Sequence, residues 1–224
     1  MAAVKLARPE ELPEGFLYGN EFLSQREESE LLGIFRELEF AAYDYHGYQA
    51  KRRIVRYGVN YDINTREERE NVLPIPEFLI DIRKRAAEFA GVTANDLVQA
   101  MVSEYSVGTP IGWHRDAPQF GIIIGISLGS ACRMRLKPYA SYAAGASRQD
   151  TRIRQESSSW PDARGGAHAT RTRVLSLRLE PRSIYAMRGA ARSEWQHSIP
   201  GVEELRYSIT FRTLKSKAKP NAAA

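Results

Sequence analysis

Between Ser24 and Leu38 the apolar positions recur at helical spacing. Leu31, Leu32, Phe35 and Leu38 share one stripe, and Ser24 followed three residues later by Glu27 makes a capping box. This predicts a helix packed on a core. A second helix is expected to open at Pro76, whose fixed φ suits a first turn, to bury Phe78, Leu79, Ile82, Ala86 and Phe89, and to stop at Gly91. Between them lies FAAYDYHGYQAKRRIVRYGVNYD, rich in Tyr and Arg, in which Ile54, Val55 and Val59 mark short strands with exposed aromatic and basic side chains.

From Leu97 the pattern changes to short β segments: LVQAMVSEYS, GIIIGISLG, CRMRLK, TRVLSLRLEP, SIYAM and RYSITFRTL. In CRMRLK, Cys132, Met134 and Leu136 alternate with Arg133, Arg135 and Lys137, so one face is buried and the other basic. Helices first and strands afterwards argue against a βαβ parallel sheet and for an α+β sandwich or double-sheet jelly roll. Residues 139–173 carry Gly, Ser, Ala and Arg without periodicity and read as a long surface insertion. The organisation expected is one domain over 1–214, with helices and a recognition segment in 1–96, a β core in 97–214, and a disordered basic tail at 215–224.

Composition narrows the class. The 224 residues are 43% hydrophobic and 26% charged, the balance of a soluble globular chain. A single cysteine, Cys132, excludes a disulfide scaffold and a Cys-rich zinc module and suits a reducing compartment. No apolar run has the length of a membrane span, and the first residues lack a signal-peptide core, so a cytoplasmic protein, monomeric and without a membrane partner, is expected. The net charge of +5 permits a polyanionic partner without requiring one.

With only four histidines, imidazole chemistry has few candidates. In YSVGTPIGWHRD, His114 and Asp116 are two apart and point to the same side if the segment is extended. An ordinary hydrogen-bonded His gives the same letters. His197, in WQHSIP before the last strand, supplies a third ligand type. Two His and one carboxylate make the facial triad of non-haem Fe(II) oxygenases, which leaves open positions on the metal. In RYSITFR, Arg206, Ser208, Thr210 and Arg212 share one face of a strand whose other face is Tyr207, Ile209 and Phe211. Two guanidinium groups turned inward are costly to bury unless an anion meets them, and a dicarboxylate would do so. The alternative is a solvent-facing strand.

Together GWHRD, WQHSIP and RYSITFR resemble the signature set of the AlkB family of Fe(II)- and 2-oxoglutarate-dependent dioxygenases, with the similarity strongest over about residues 97–214. The resemblance implies a double-stranded β-helix (jelly roll) with N-terminal helices packed on one sheet. It implies Fe(II) on His114, Asp116 and His197, with 2-oxoglutarate and O2 as co-substrates. By the same resemblance Tyr105 would hydrogen-bond 2-oxoglutarate, Arg206 would pair with its distal carboxylate, Arg212 would lie near its chelating end, and Ser208 would add a polar contact. Ser103 and Ser208 stand where DNA-repair members have Asn. Ala117-Pro118-Gln119 follows the triad aspartate, where those members carry an acid.

The chemistry implied is oxidative demethylation or dealkylation of alkylated DNA or RNA. The alternatives are the same oxygenation on a protein side chain or small molecule, or a non-catalytic binding module of this fold. Basic groups interleaved with aromatics suit phosphates and bases, so Tyr48, Arg52, Arg53 and Tyr57 are the candidate substrate contacts. Trp113 is expected in the core.

Overall fold

The computed structural model describes residues 5–6, 12–45, 48–59, 72–139 and 174–215. The insertion after Tyr139, the tail after Lys215, His46 and His168 lie outside the described residues. The chain runs β1 (Lys5–Leu6), β2 (Phe16–Asn20), α1 (Gln25–Arg36), β3 (Ala41–Tyr45), β4 (Tyr48–Gly58), α2 (Ile80–Ala90), β5 (Leu97–Tyr105), β6 (Ile111–His114), β7 (Phe120–Gly129), β8 (Cys132–Pro138), β9 (Leu175–Leu179), β10 (Ile184–Met187), α3 (Gly189–Ser193), β11 (Trp195–Ile199) and β12 (Arg206–Leu214). An eight-stranded sheet, β1-β2-β10-β7-β12-β5-β4-β3, faces a four-stranded one, β6-β11-β8-β9. Every strand pair is antiparallel. This is the expected double-stranded β-helix.

α1 and α2 cover the outer face of the large sheet. The Ser24–Glu27 capping box satisfies the first amide groups of α1, which buries Leu31 and Phe35. A 3-10 turn over Glu77–Leu79 precedes α2, and Gly91 ends it with φ 67°, a left-handed conformation that favours glycine. Phe35 packs on Tyr207 of β12 and on Phe78, so the outward residues of β12 form the floor under both helices. A second core of Phe16, Tyr18, Ile123, Met134, Leu136 and Ile199 fills the space between the sheets.

The N-terminal region holds more strand than the short segments expected around Ile54, Val55 and Val59. It gives β1 and β2 to one edge of the large sheet and the β3–β4 hairpin to the other. Those pairings depend on distant partners, β10 for β2 and β5 for β4, that no local periodicity announces. No helix among the described residues is long and apolar enough to cross a membrane.

Candidate metal centre

His114 closes β6 and sits directly opposite His197 of β11 in the antiparallel ladder. Register alone therefore brings together two residues far apart in sequence, with ring centres 4.2 Å apart. Asp116, two residues past His114, swings back so that its Oδ2 is 3.7 Å from His197 Nε2. One potential ligand atom from each of the three residues lies within 4.8 Å of the others.

The surroundings fit a cation. Asp116 Oδ1 accepts from Arg212 Nη2 at 3.3 Å, but Oδ2 is buried without a hydrogen-bond partner, a costly state for a carboxylate oxygen unless a ligand meets it. His114 Nδ1 lies 2.9 Å from the Gly112 carbonyl, so Nδ1 carries the hydrogen and donates, leaving Nε2 as the free lone pair. Burial, reinforced by the neighbouring His114, pushes His197 down to about 3, so its imidazole is neutral and able to ligate at physiological pH. Burial works against the charge on Asp116, but His197, Arg212, His114 and Arg192 outweigh it and hold the carboxyl well below the usual carboxylate range. Imidazole, imidazole and carboxylate suit Fe(II) better than a closed zinc site.

Beside the triad, β12 turns Arg206, Ser208, Thr210 and Arg212 into the space between the sheets. Arg206 is 1% exposed; its Nε donates to Ser127 Oγ at 3.2 Å, its guanidinium lies 4.8 Å from the Tyr105 ring centre, and its Nη1 has no partner. Tyr105 Oη and Ser208 Oγ are 3.3 Å apart. Burial would raise the Tyr105 phenol, yet the charges of Arg52 and Arg206, with the contact to Ser208, bring it below its ordinary value. Arg212 Nη1 donates to Gln99 Oε1 at 2.6 Å.

The substrate candidates divide by strand parity. Opposed residues on paired strands share a face, so the pairing of Ile54 with Ser103 and of Arg56 with Met101 puts Arg52 and Arg56 on the site side of β4. Arg53 and Tyr57, expected beside the substrate, lie on the helix-covered face instead. Arg53 pairs with Glu104 at 2.6 Å and sits over Phe40, while Tyr57 is buried edge-on against Phe78. Tyr48 belongs to β4, but its side chain lies outside the described residues. Trp113 is not in the core. It occupies the outer face of the small sheet, with Arg135 5.1 Å and Lys137 4.5 Å from its ring centre.

Tyr185 is a site residue that the sequence reading passed over. A Cβ on Gly125 would stand 2.3 Å from the Tyr185 ring, so glycine is what lets this aromatic lie across β7. Burial, then the charge of Asp116, raises the Tyr185 phenol far above its ordinary value, keeping it a neutral O–H group. The signal available was the lone glycine inside GIIIGISLG.

The depressed His197 fixes a pH response for the metal-free protein. In the unfolded chain this imidazole takes up a proton near its ordinary value of 6.5, while the fold keeps it neutral to about 3. Across that window the unfolded state binds more protons, so stability is full above about pH 6.5 and falls as pH drops through the window. Asp116 adds to the loss below its ordinary value of 3.8. Urea midpoints of the metal-free protein should decline between pH 6.5 and 4, and less steeply for His197→Gln; equal slopes would contradict the assignment.

A model of the 2OG-Fe(II) oxygenase superfamily matches residues 16–212. The "Alkylated DNA repair protein ALKBH8 homolog" of Arabidopsis thaliana is 29% identical over 159 residues, covering 67% of this chain. The match covers only 42% of that relative's length. The solved structure titled "The structure of OsALKBH1" superposes with a TM-score of 0.63 at 15% identity, covering 93% of this chain and 100% of that one, a likeness of fold. Since the family match begins with β2 and runs through Arg212, it takes in the whole triad and both inward arginines: the chain belongs to the 2OG-Fe(II) oxygenase superfamily and resembles its AlkB-type members.

Proposed function

We propose that this chain is an Fe(II)- and 2-oxoglutarate-dependent dioxygenase that removes N-methyl or other N-alkyl groups from nucleic acid. The observation that carries the oxygenase reading is the pairing of two unmet needs in one interior: a buried carboxylate oxygen without a partner at Asp116 and a buried guanidinium nitrogen without one at Arg206. A metal cation answers the first and a dicarboxylate the second.

His114, Asp116 and His197 would hold Fe(II), and Arg206, Tyr105 and Ser208 would receive the far carboxylate of 2-oxoglutarate. Bound there, iron would supply the redox chemistry by which O2 gives one oxygen atom to succinate, as 2-oxoglutarate loses CO2, and the other to a substrate C–H bond. Arg212 orients the Asp116 carboxylate through Oδ1 and leaves Oδ2 for the metal. Tyr185 and the apolar inter-sheet core exclude bulk water. Where the oxidised carbon is an N-methyl group, the resulting N–CH2OH loses formaldehyde and restores the N–H.

The nucleic-acid assignment is supported by Arg52 and Arg56 on the site side of β4 and by the relative described as an alkylated DNA repair protein. Ala117-Pro118-Gln119 after Asp116 favours a second reading, the same oxygenation of a protein side chain or small molecule. Anaerobic Fe(II) and 2-oxoglutarate should give a weak visible charge-transfer band, and N-methylated single- or double-stranded DNA or RNA should then release formaldehyde under air. Formaldehyde from methylated peptides alone would overturn the nucleic-acid assignment. Absence of the band at saturating ligand would overturn the oxygenase.

A further inference from the structure

α3 ends shortly before His197, and its Arg192 turns into the protein, 8% exposed. Its Nη2 meets three main-chain carbonyls: Asp116 at 3.2 Å, Ala117 at 2.7 Å and Phe120 at 3.1 Å. Arg115 answers from the other side. Its Nη1 donates to the Ser193 carbonyl at 2.8 Å, and its guanidinium lies 3.8 Å from the Tyr139 ring centre. Two arginines thus cross-link the β6–β7 loop and the end of α3 in opposite directions.

The loop needs such a device. Asp116 stands outside both flanking strands, so no ladder fixes its backbone, whereas His114 and His197 are held in register by β6 and β11. Its side chain accepts one hydrogen bond, at 3.3 Å from Arg212. A buried guanidinium is a costly way to close a surface loop, since carbonyl dipoles only partly replace the water it gives up. The rigid planar fork of arginine, however, gathers several carbonyls at one point.

We propose that Arg192 is a positioning residue for metal binding, acting through the Asp116 main chain to hold the carboxylate against His114 and His197. This rests on the triad being the metal centre. Groups that orient metal ligands typically change metal affinity by about 10–100-fold when removed.

The test is Co(II) binding, followed by its visible absorption under argon with 2-oxoglutarate present. Arg192→Met should weaken Co(II) binding by about 10–100-fold, and Arg192→Lys, which keeps the charge on a shorter arm, should recover part of it. A purely structural role would lower the melting temperature of the metal-free protein without moving Co(II) affinity. Arg192→Met within twofold of the parent, as a folded protein, overturns the proposal. Should that variant not fold, Arg115→Ala, on the exposed side of the same cross-link, decides. It should weaken Co(II) binding by severalfold and speed amide exchange over residues 116–120, and unchanged values overturn the proposal. A parent protein that binds no Co(II) at all sinks the metal-centre reading itself, a result distinct from tight parental binding with unaffected variants.

Discussion

His114→Ala is expected to lower succinate release by about a thousandfold or more, equivalent to roughly 4 kcal/mol on the barrier. The substitution is clean because of where the residue lies. β6 is the edge strand of the small sheet and His114 is only half-buried, so removing the ring opens no core cavity. The loss falls on the site: two potential ligands remain, and the Nδ1–H bond to Gly112 disappears. Co(II) binding should fall with turnover, while far-UV circular dichroism and the melting temperature of the metal-free protein stay close to the parent. Asp116→Asn should give a comparable loss by another route, since it keeps the shape of the side chain but removes the charge that Arg212 pairs with. Turnover within tenfold of the parent in either variant would remove that residue from the centre.

What the sequence announces and what it hides differ by range. Ser24 with Glu27 and the left-handed Gly91 are local devices, written in a few adjacent letters, and both occur where the pattern placed them. The alternation in RYSITFR is equally local, and the strand does turn its arginines inward and its aromatics to the helices. Parity within β4 is different. KRRIVRYG reads as a basic strip, but which arginines face the site depends on the register of Ile54 against Ser103 on another strand, far beyond any local pattern. A shift of one residue would exchange Arg52 for Arg53. Arg192 is hidden for the same reason, because GAARS says nothing of the carbonyls of a loop far upstream. The triad was legible because ligand chemistry restricts the residue types, not because its assembly is local.

Arg206→Met should separate stability from co-substrate binding. Arg206 is among the largest fully buried side chains, and its Nη1 has no hydrogen-bond partner. Replacing such a charge by an apolar side chain of similar length often leaves stability unchanged or raises it, by roughly 1–4 kcal/mol. The metal-free variant is therefore expected to melt between the parental temperature and several degrees above it. The opposite holds with 2-oxoglutarate present. The dicarboxylate binds the folded state alone, so saturating amounts should raise the parent's melting temperature, and that rise should vanish in the variant. The 2-oxoglutarate requirement for succinate formation should increase by roughly 30-fold or more, the consequence of losing a buried charge-assisted contact worth about 2 kcal/mol at least. A variant that melts lower and keeps the parental 2-oxoglutarate requirement would make Arg206 a structural residue. One that melts higher and loses the co-substrate would mean that the cost of a buried, partly unpaired cation is borne by the empty protein and recovered when the dicarboxylate arrives.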